Sequence, residues 1–442
     1  MKSEREKQAG QQESVCIPSE RETLMKIKNN LIDPSNRLWS WNHNHTNCCH
    51  WYGVLCHNLT SHVLQLHLNT SYYAFKYDYY NGFYHRFDEE AYRRWSFGGE
   101  ISPCLADLKH LNYLDLSGNY FLGEGMSIPS FLGTMTSLTH LNLSQTAFSG
   151  KIPPQIGNLS KLRYLDLSYN DFEGMAIPSF LCAMTSLTHL DLSYTPFMGK
   201  IPSQIGNLSN LVYLGLGGSY DLLAENVGWV SSMWKLEYLY LSNANLSKAF
   251  HWLHTLQSLP SLTHLSLSGC TLPHYNEPSL LNFSSLQTLD LSDTAISFVP
   301  KWIFKLKKLV SLQLQGNEIQ GPIPGGIRNL SLLLILDLSF NSFSSSIPDC
   351  LYGLHRLKSL DLSSSNLHGT ISDALGNLTS LVELDLSINQ LEGNIPTCLG
   401  NLTSLVELHL SRNQLEGNIP TSLGNLCNLR VIDLSYLKLN QQ

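Results

Sequence analysis

Leucines recur along most of this chain in one spelling, Leu-x-x-Leu-x-Leu, with polar or aromatic residues at the x positions. Fourteen copies, one ending Ile-x-Leu, begin at Leu111, Leu138, Leu162, Leu187, Leu211, Leu236, Leu262, Leu286, Leu309, Leu333, Leu357, Leu381, Leu405 and Leu429, nearly all 23 to 26 residues apart. Val63-Leu64-Gln65-Leu66-His67-Leu68 reads as an earlier, weaker copy. Alternation over so few residues predicts one short strand per copy. Its leucines point inward, and residues such as Asn112, Tyr113 and Asp115 lie on the opposite face. Three leucines cannot be buried by one coil alone, so the copies must stack strand against strand around a continuous apolar core.

A period in the twenties with this spelling is the mark of a leucine-rich repeat solenoid. The expected fold is of the α/β class: a right-handed solenoid with a curved parallel sheet inside and irregular or short helical segments outside. Asn119, Asn170, Asn317, Asn341, Asn389 and Asn413 fall just after their strands, where a side-chain amide can satisfy buried backbone groups at the turn. Cys270 stands in the same column and is read as structural. The second half of many coils spells Gly-x-Ile-Pro (Gly150 to Pro153, Gly199 to Pro202, Gly321 to Pro324, Gly393 to Pro396, Gly417 to Pro420). There glycine allows tight backbone approach, isoleucine points to the core, and proline fixes an extended or turn conformation. Coils between about Ser219 and Pro300 lose this motif. Residues 377–400 and 401–424 match at 21 of 24 positions. Two of the differences, Asp385 against His409 and Ile388 against Arg412, lie on or beside the outward strand face.

A solenoid needs capped ends. Ser19-Glu20-Arg21-Glu22 reads as a capping box opening a helix, Leu24, Ile27 and Leu31 as its apolar stripe, and Asp33-Pro34 as its end. Trp39, Trp41, Cys48, Cys49, Trp51, Gly53 and Cys56 follow. Cys16, Cys48, Cys49 and Cys56 allow three disulfide pairings, and adjacent cysteines bond poorly, which removes one. Of the two that remain, Cys16–Cys48 with Cys49–Cys56 is the choice. A metal site built with His43, His45, His50 and His57 is the alternative, but the Cys49 to Cys56 spacing is too wide for a zinc pair. No metal and no cofactor is expected.

Three stretches carry a family resemblance: Glu20-Arg21-Glu22-Thr23-Leu24 through Asp33-Pro34-Ser35, then Cys48-Cys49-His50-Trp51-Tyr52-Gly53-Val54-Leu55-Cys56, then the coils themselves. Over about residues 16 to 440 the chain resembles the plant extracellular leucine-rich repeat family, and most of all the ectodomains of receptor-like proteins of the fungal-xylanase-receptor type. The resemblance implies a plasma-membrane receptor that senses an extracellular peptide or protein, lacks its own kinase and signals in defence through a receptor-kinase co-receptor or adaptor. Two alternatives share the cap and the repeat: a secreted inhibitor of a microbial cell-wall-degrading enzyme, and a fragment of a receptor-kinase ectodomain.

Composition narrows the field. A net charge of −7 with 14% charged residues gives no basis for nucleic-acid binding. The run Lys301, Lys305, Lys307 and Lys308 reads as a solvated face. Eleven glycosylation sequons occur, at Asn44, Asn58, Asn69, Asn142, Asn158, Asn207, Asn245, Asn282, Asn329, Asn377 and Asn401, which favours an extracellular setting. Residues 1–15 read as an unstructured leader with no apolar signal core, 16–62 as the cap and 63–442 as the solenoid. No run of 18 apolar residues and no kinase signature is present, and the chain stops just past a strand without a closing cap. The expectation is a truncated or mis-started reading of a longer protein, with membrane association only through a span missing from this chain.

No catalytic constellation stands out. Gly215-Leu216-Gly217-Gly218 overlaps a repeat strand, and the recurring aspartates Asp115, Asp166, Asp191, Asp290, Asp337, Asp361, Asp385 and Asp433 read as an exposed consensus column. An enzyme is not expected. The third strand position reads Tyr113, His140, Tyr164, His189, Tyr213, Tyr238 and His264 in consecutive coils, then turns to Thr288, Ser311 and Ile335. Seven such residues form the expected ligand-binding column, suited to an extended peptide or a protein surface. A second departure is an insertion of about 24 residues within 69–99, dense in Tyr72, Tyr73, Phe75, Tyr77, Tyr79, Tyr80, Phe83, Tyr84, Phe87, Tyr92, Trp95 and Phe97. It reads either as a loop projecting to meet a partner or as a segment folded over the cap.

Overall fold

The structure is a computed structural model that describes residues 15–70, 77–78, 83–84, 89–121, 126–172, 174–274 and 283–440. It divides into two compact units, one running to Leu211 and one from Val212.

In the first unit a helix, Pro18–Asn30, buries Leu24 and Ile27. The capping box does not form: Pro18 begins the helix, Ile17 caps it without a side-chain bond, and Ser19 lies inside. Proline is favoured at the first helical position, and Pro18 there starts the helix one residue ahead of Ser19, which leaves the cap position to Ile17. Glu20 instead accepts hydrogen bonds from Val63 N at 2.7 Å and from the His62 ring at 3.0 Å, tying the helix to the first strand. Leu31 lies past the helix, in the two-residue strand Leu31–Ile32. Disulfides join Cys16 to Cys48 and Cys49 to Cys56. Strand Val54–Cys56 runs antiparallel to Val63–His67, and Tyr113–Asp115, His140–Asn142, Tyr164–Asp166 and His189–Asp191 then add in parallel.

Half of the insertion's aromatic residues lie outside the described residues: Tyr72, Tyr73, Phe75, Tyr79, Tyr80 and Phe87. Tyr77–Asp78 and Phe83–Tyr84 pair as antiparallel strands. The later part folds onto the cap and first coils. Helix Glu89–Trp95 leads to Gly98–Gly99, which pairs antiparallel with Leu31–Ile32. Tyr92 and Phe97 are buried, and the Tyr92 hydroxyl donates to Gln145 O at 3.1 Å. The Arg37 guanidinium sits 4.3 Å from the Phe97 ring centre.

The second unit holds ten parallel strands, from Tyr213–Gly215 through Glu407–His409 to Val431–Asp433. A four-stranded parallel sheet forms on the other half of its last coils, in the order His368–Thr370, Gln390–Asn394, Gln414–Gly417, Lys438–Leu439. The chain's leucines meet in both units as expected: Leu114, Leu141, Leu336 and Leu408 are fully buried. Each is worth about 1.5–3 kcal/mol of apolar transfer. Outer segments are short 3-10 turns, one per coil in most, such as Pro154–Asn158 and Thr397–Asn401.

The turn asparagines act as the sequence implies. Asn170 donates to Leu143 O and Leu167 O at 2.7 and 3.0 Å and accepts from Phe148 N at 3.0 Å, so one buried amide serves two coils. Asn389 and Asn413 repeat this in the second unit. Cys270 takes the same place with its thiol donating to Leu241 O at 3.0 Å, and burial pushes that thiol up to about 12. Such a thiol is un-ionised and inert, in line with a structural role.

Candidate functional site

The outward strand positions build two different surfaces. In the first unit, register places Tyr113 beside His140, His140 beside Tyr164, and Tyr164 beside His189. Strand spacing close to ring thickness lets these flat side chains stack. Ring centres stand 3.9, 3.9 and 4.0 Å apart, tilted by only 10°, 14° and 11°. His67 adds a fifth ring, 4.4 Å from Tyr113. The column reading missed it because His67 pairs in register with Asp115, two residues past Tyr113.

Stacking consumes the ring faces. What the column turns toward a partner is a row of ring edges, phenol hydroxyls alternating with imidazole nitrogens, all half-buried. Burial holds His140 and His189 down at about 4 and raises Tyr113 and Tyr164, so these four tips are neutral across the mildly acidic and neutral range. It is therefore a ladder of hydrogen-bonding tips, unsuited to flat stacking on a ligand.

Beside it runs the aspartate column, and here exposure was the wrong expectation. Asp115 and Asp166 are buried. Each turns back to accept from the serine two residues on: Asp115 from Ser117 N and Oγ at 3.0 and 2.7 Å, Asp166 from Ser168 N and Oγ at 2.9 and 2.7 Å. Burial, with Asp191 nearby, raises Asp166 to about 6. Asn142 does the same job without charge, accepting from Ser144 N and Oγ at 3.0 and 2.9 Å. Its sequon is thus half-buried on the inner face.

The residue after that serine was not singled out by the sequence reading, although the Ser-x-Asn spelling marks it. Its N–H continues the ladder to the next coil: Gln145 N to Ser168 O, Tyr169 N to Ser193 O, Phe340 N to Ser363 O, Ile388 N to Ser411 O. Making that bond requires positive φ, 54° at Tyr169 and at Ile388. Glycine takes this conformation without cost, as Gly118, Gly269 and Gly316 do. A side chain there costs about 1–3 kcal/mol. Yet Tyr169 and Tyr194 occupy it, exposed and stacked with centres 4.4 Å apart.

In the second unit the aromatic column is short. Tyr213 and Tyr238 are 6.0 Å apart and tilted, Tyr238 and His264 stack at 4.3 Å, and Thr288, Ser311, Ile335, Ser359, Glu383 and Glu407 follow. Acidity replaces aromaticity. Asp337, Asp361 and Asp385 are consecutive neighbours, and burial with repulsion from the other two raises Asp361 to about 7.

Among the described residues, the one ligand group compact enough for a metal is Cys48, Cys49 and Cys56, whose sulfurs are spent in disulfides. Of the sequons, Asn158, Asn207, Asn329, Asn377 and Asn401 each end an exposed 3-10 turn on the coil's other half. Asn44 and Asn58 are exposed, and Asn69 is half-buried. Asn245 accepts from Ser247 N at 3.0 Å, and Asn282 lies outside the described residues. No helix among the described residues is long and apolar enough to cross a membrane.

Known families match in the same order. A leucine-rich repeat N-terminal domain matches residues 17–57, a leucine-rich repeat region 96–271, and further leucine-rich repeats 308–330, 332–354 and 355–415. Receptor-like protein EIX1 of Solanum lycopersicum is 30% identical over 323 residues, 71% of this chain and 25% of that protein. The chain therefore spans about a quarter of that relative. Among solved structures, a plant peptide hormone receptor, RGFR1 in complex with RGF2, is 30% identical, covering 88% of this chain and 57% of that one at a TM-score of 0.60. PEPR1–AtPEP1 is 26% identical, with 96% and 66% covered at a TM-score of 0.56. With its cap and its coils, the chain belongs to the leucine-rich repeat family, and it is similar to plant receptor-like proteins.

Proposed function

We propose that this chain is the ligand-sensing extracellular part of a plant receptor-like protein, with 16–62 as its cap and 63–442 as its repeat domain. It acts in defence, is held on the outer side of the plasma membrane by a span beyond this sequence, and signals through a receptor-kinase co-receptor or adaptor. The observation that carries the reading is the stacked column on the first unit's strand face. A regular row of neutral donors and acceptors, fixed in place by its own stacking, is preorganised for a peptide or protein surface. Tyr113, His140, Tyr164 and His189 form that contact row, with Tyr213, Tyr238 and His264 as its counterparts in the second unit. Similarity to EIX1 and to a peptide hormone receptor supports it. Glycans on the exposed sequons at the ends of the 3-10 turns would leave the strand face open.

The test is selection of binders to the secreted chain from a displayed peptide library, followed by titration against variants. Tyr164→Ala should weaken most selected binders at least tenfold. Binders indifferent to both Tyr113→Ala and Tyr164→Ala would sink the reading. Deleting residues 72–88, which spares the Tyr92 anchor, asks whether the insertion takes part.

A further inference from the structure

Three large apolar side chains stand exposed at the positive-φ position in alternate coils among the last five of the second unit: Phe340 (56% exposed), Ile388 (48%) and Tyr436 (76%). Each keeps about half or more of its surface in the open. The backbone there would prefer glycine, and Ile388 is β-branched, which makes positive φ harder still. Ser364 and Arg412 fill the coils between, and the Arg412 guanidinium rests 5.1 Å from the Tyr436 ring centre.

The row has a measurable pitch. Hydrogen bonds link it coil to coil, from Phe340 N to Ser363 O, Ser364 N to Ser387 O, Ile388 N to Ser411 O and Arg412 N to Ser435 O. Its rungs therefore follow strand spacing, and apolar groups two coils apart are separated by about 9.6 Å. An extended β segment repeats its facing side chains every ~6.7 Å, out of step with the row. Seven residues of α-helix, about two turns, advance ~10.5 Å and run nearly 2 Å ahead over the row's two intervals. A polyproline-II segment has three residues per turn and advances ~9.3 Å, so every third side chain meets Phe340, Ile388 and Tyr436 within about 0.6 Å over the same length.

Charge names the other face of that segment. Asp337, Asp361 and Asp385 lie three residues before Phe340, Ser364 and Ile388, so an acidic row runs alongside the apolar one. From Asp337 to Asp433 the outward positions carry six carboxylates (with Asp361, Glu383, Asp385 and Glu407) against Lys358, Arg412 and Arg430. Asn142 shows that the hydrogen bond made by these aspartates needs no charge. The crowded carboxylates gain from a cation that arrives with a partner.

We infer that the second unit docks a basic polyproline-II segment, with prolines or other apolar residues at every third position on Phe340, Ile388 and Tyr436 and lysines or arginines on the acidic row. Aromatic and apolar rows bind such segments because their conformation is already set. The inference rests on the chain being a binding ectodomain but uses different residues from the stacked column, so the two readings fail separately.

The test is titration of the secreted full chain with (Pro-Lys-Pro)4 at fixed ionic strength. Its controls are an isomer with the four lysines adjacent, (Pro-Glu-Pro)4, and a lysine–leucine helix with apolar groups seven residues apart. The in-phase peptide should bind at least tenfold tighter than its isomer, and the acidic peptide should not bind measurably. Ile388→Gly should cut affinity at least fivefold while its unfolding midpoint holds or rises, and Asp361→Asn should weaken binding about threefold. Equal binding of the two isomers would reduce the effect to charge alone and overturn the inference. So would preference for the helix, an Ile388→Gly variant of undiminished affinity, or one that unfolds more easily. Library binders that depend on Tyr164 while (Pro-Lys-Pro)4 fails would leave the receptor reading standing without this one.

Discussion

The two units use one backbone to make surfaces that work in opposite ways. On the first unit's strand face, side chains satisfy each other. Rings stack at 3.9–4.0 Å, the imidazoles are held neutral, and only edges remain for a partner. On the second unit's face, side chains compete. Asp361 is raised by burial and by its two acidic neighbours, further than Asp166 is in the first unit, and Ile388, like Tyr169 there, occupies a backbone conformation that suits glycine. The difference teaches that a repeat core leaves its outer positions energetically independent. One stretch can gain stability from its surface while another carries a cost on it.

Substitutions can break this comparison, and the largest effect should come from the stack. Tyr164→Ala removes two ring contacts and a half-buried body, and should cost about 2–3 kcal/mol by denaturant unfolding. Glu383→Ala at the same strand position in the second unit should stay within about 0.5 kcal/mol. Equal losses would dissolve the contrast. Next comes the positive-φ position. Gly316→Ile should destabilise by about 1–2 kcal/mol, since its Cβ would sit 2.0 Å from an Asp293 carboxylate oxygen at a φ of 66°. The reciprocal Ile388→Gly should gain about 0.5–1 kcal/mol.

The pH dependence sharpens the comparison further, because the two faces slope in opposite directions. His140 and His189 have folded values below the unfolded 6.5, so the stability they contribute is present above 6.5 and is lost as pH falls toward 4. Asp361 has a folded value above the unfolded one, so its contribution is present at low pH and is lost as pH rises from about 4 to 7. Asp361→Asn should therefore stabilise by about 1 kcal/mol at pH 7.5 and not at pH 4, measured by unfolding at both values. His189→Phe should flatten the acid limb between pH 6.5 and 4, which Asp166, raised to about 6, partly offsets. The smallest effect belongs to Asn142→Asp, which keeps the Ser144 bond and should change stability by less than about 0.5 kcal/mol. A larger loss would mean that the column's charge matters to the fold itself.

Much of this was legible in the sequence because the repeat imposes it. Leu111 to Leu116, the turn asparagines and Cys270 follow from local pattern plus the need to bury leucine and satisfy backbone groups, whereas the cap cysteines left two pairings open, of which the chosen one forms. Where local pattern failed, a longer-range partner had won. Ser19 lost its capping role because Pro18 starts the helix one residue earlier, and Glu20 reaches Val63 N, 43 residues away. The aspartates were read as exposed from strand alternation, which says nothing of a carboxylate folding back on Ser117 or Ser168. The column was visible as Tyr113, His140, Tyr164 and His189, but the consumption of its ring faces was not, since stacking depends on rotamers and strand spacing together. The positive-φ row was hidden because φ is not spelled by Tyr169 or Ile388, as it is by Gly118.

That row has a consequence for how such a surface changes over time. The coils at residues 377–400 and 401–424 differ at three of 24 positions, and one of the three is Ile388 against Arg412. A duplication of this kind inserts one complete rung and pushes every later side chain along by one strand spacing, about 4.8 Å. The core continues unbroken, so the event is silent for folding. For a partner already seated across several rungs it is a frameshift in three dimensions: contacts beyond the insertion point fall out of phase at once, and a second such event restores the two-coil alternation. Gain or loss of a whole coil would thus retune such a surface in steps of one rung, where a substitution alters a single position on it.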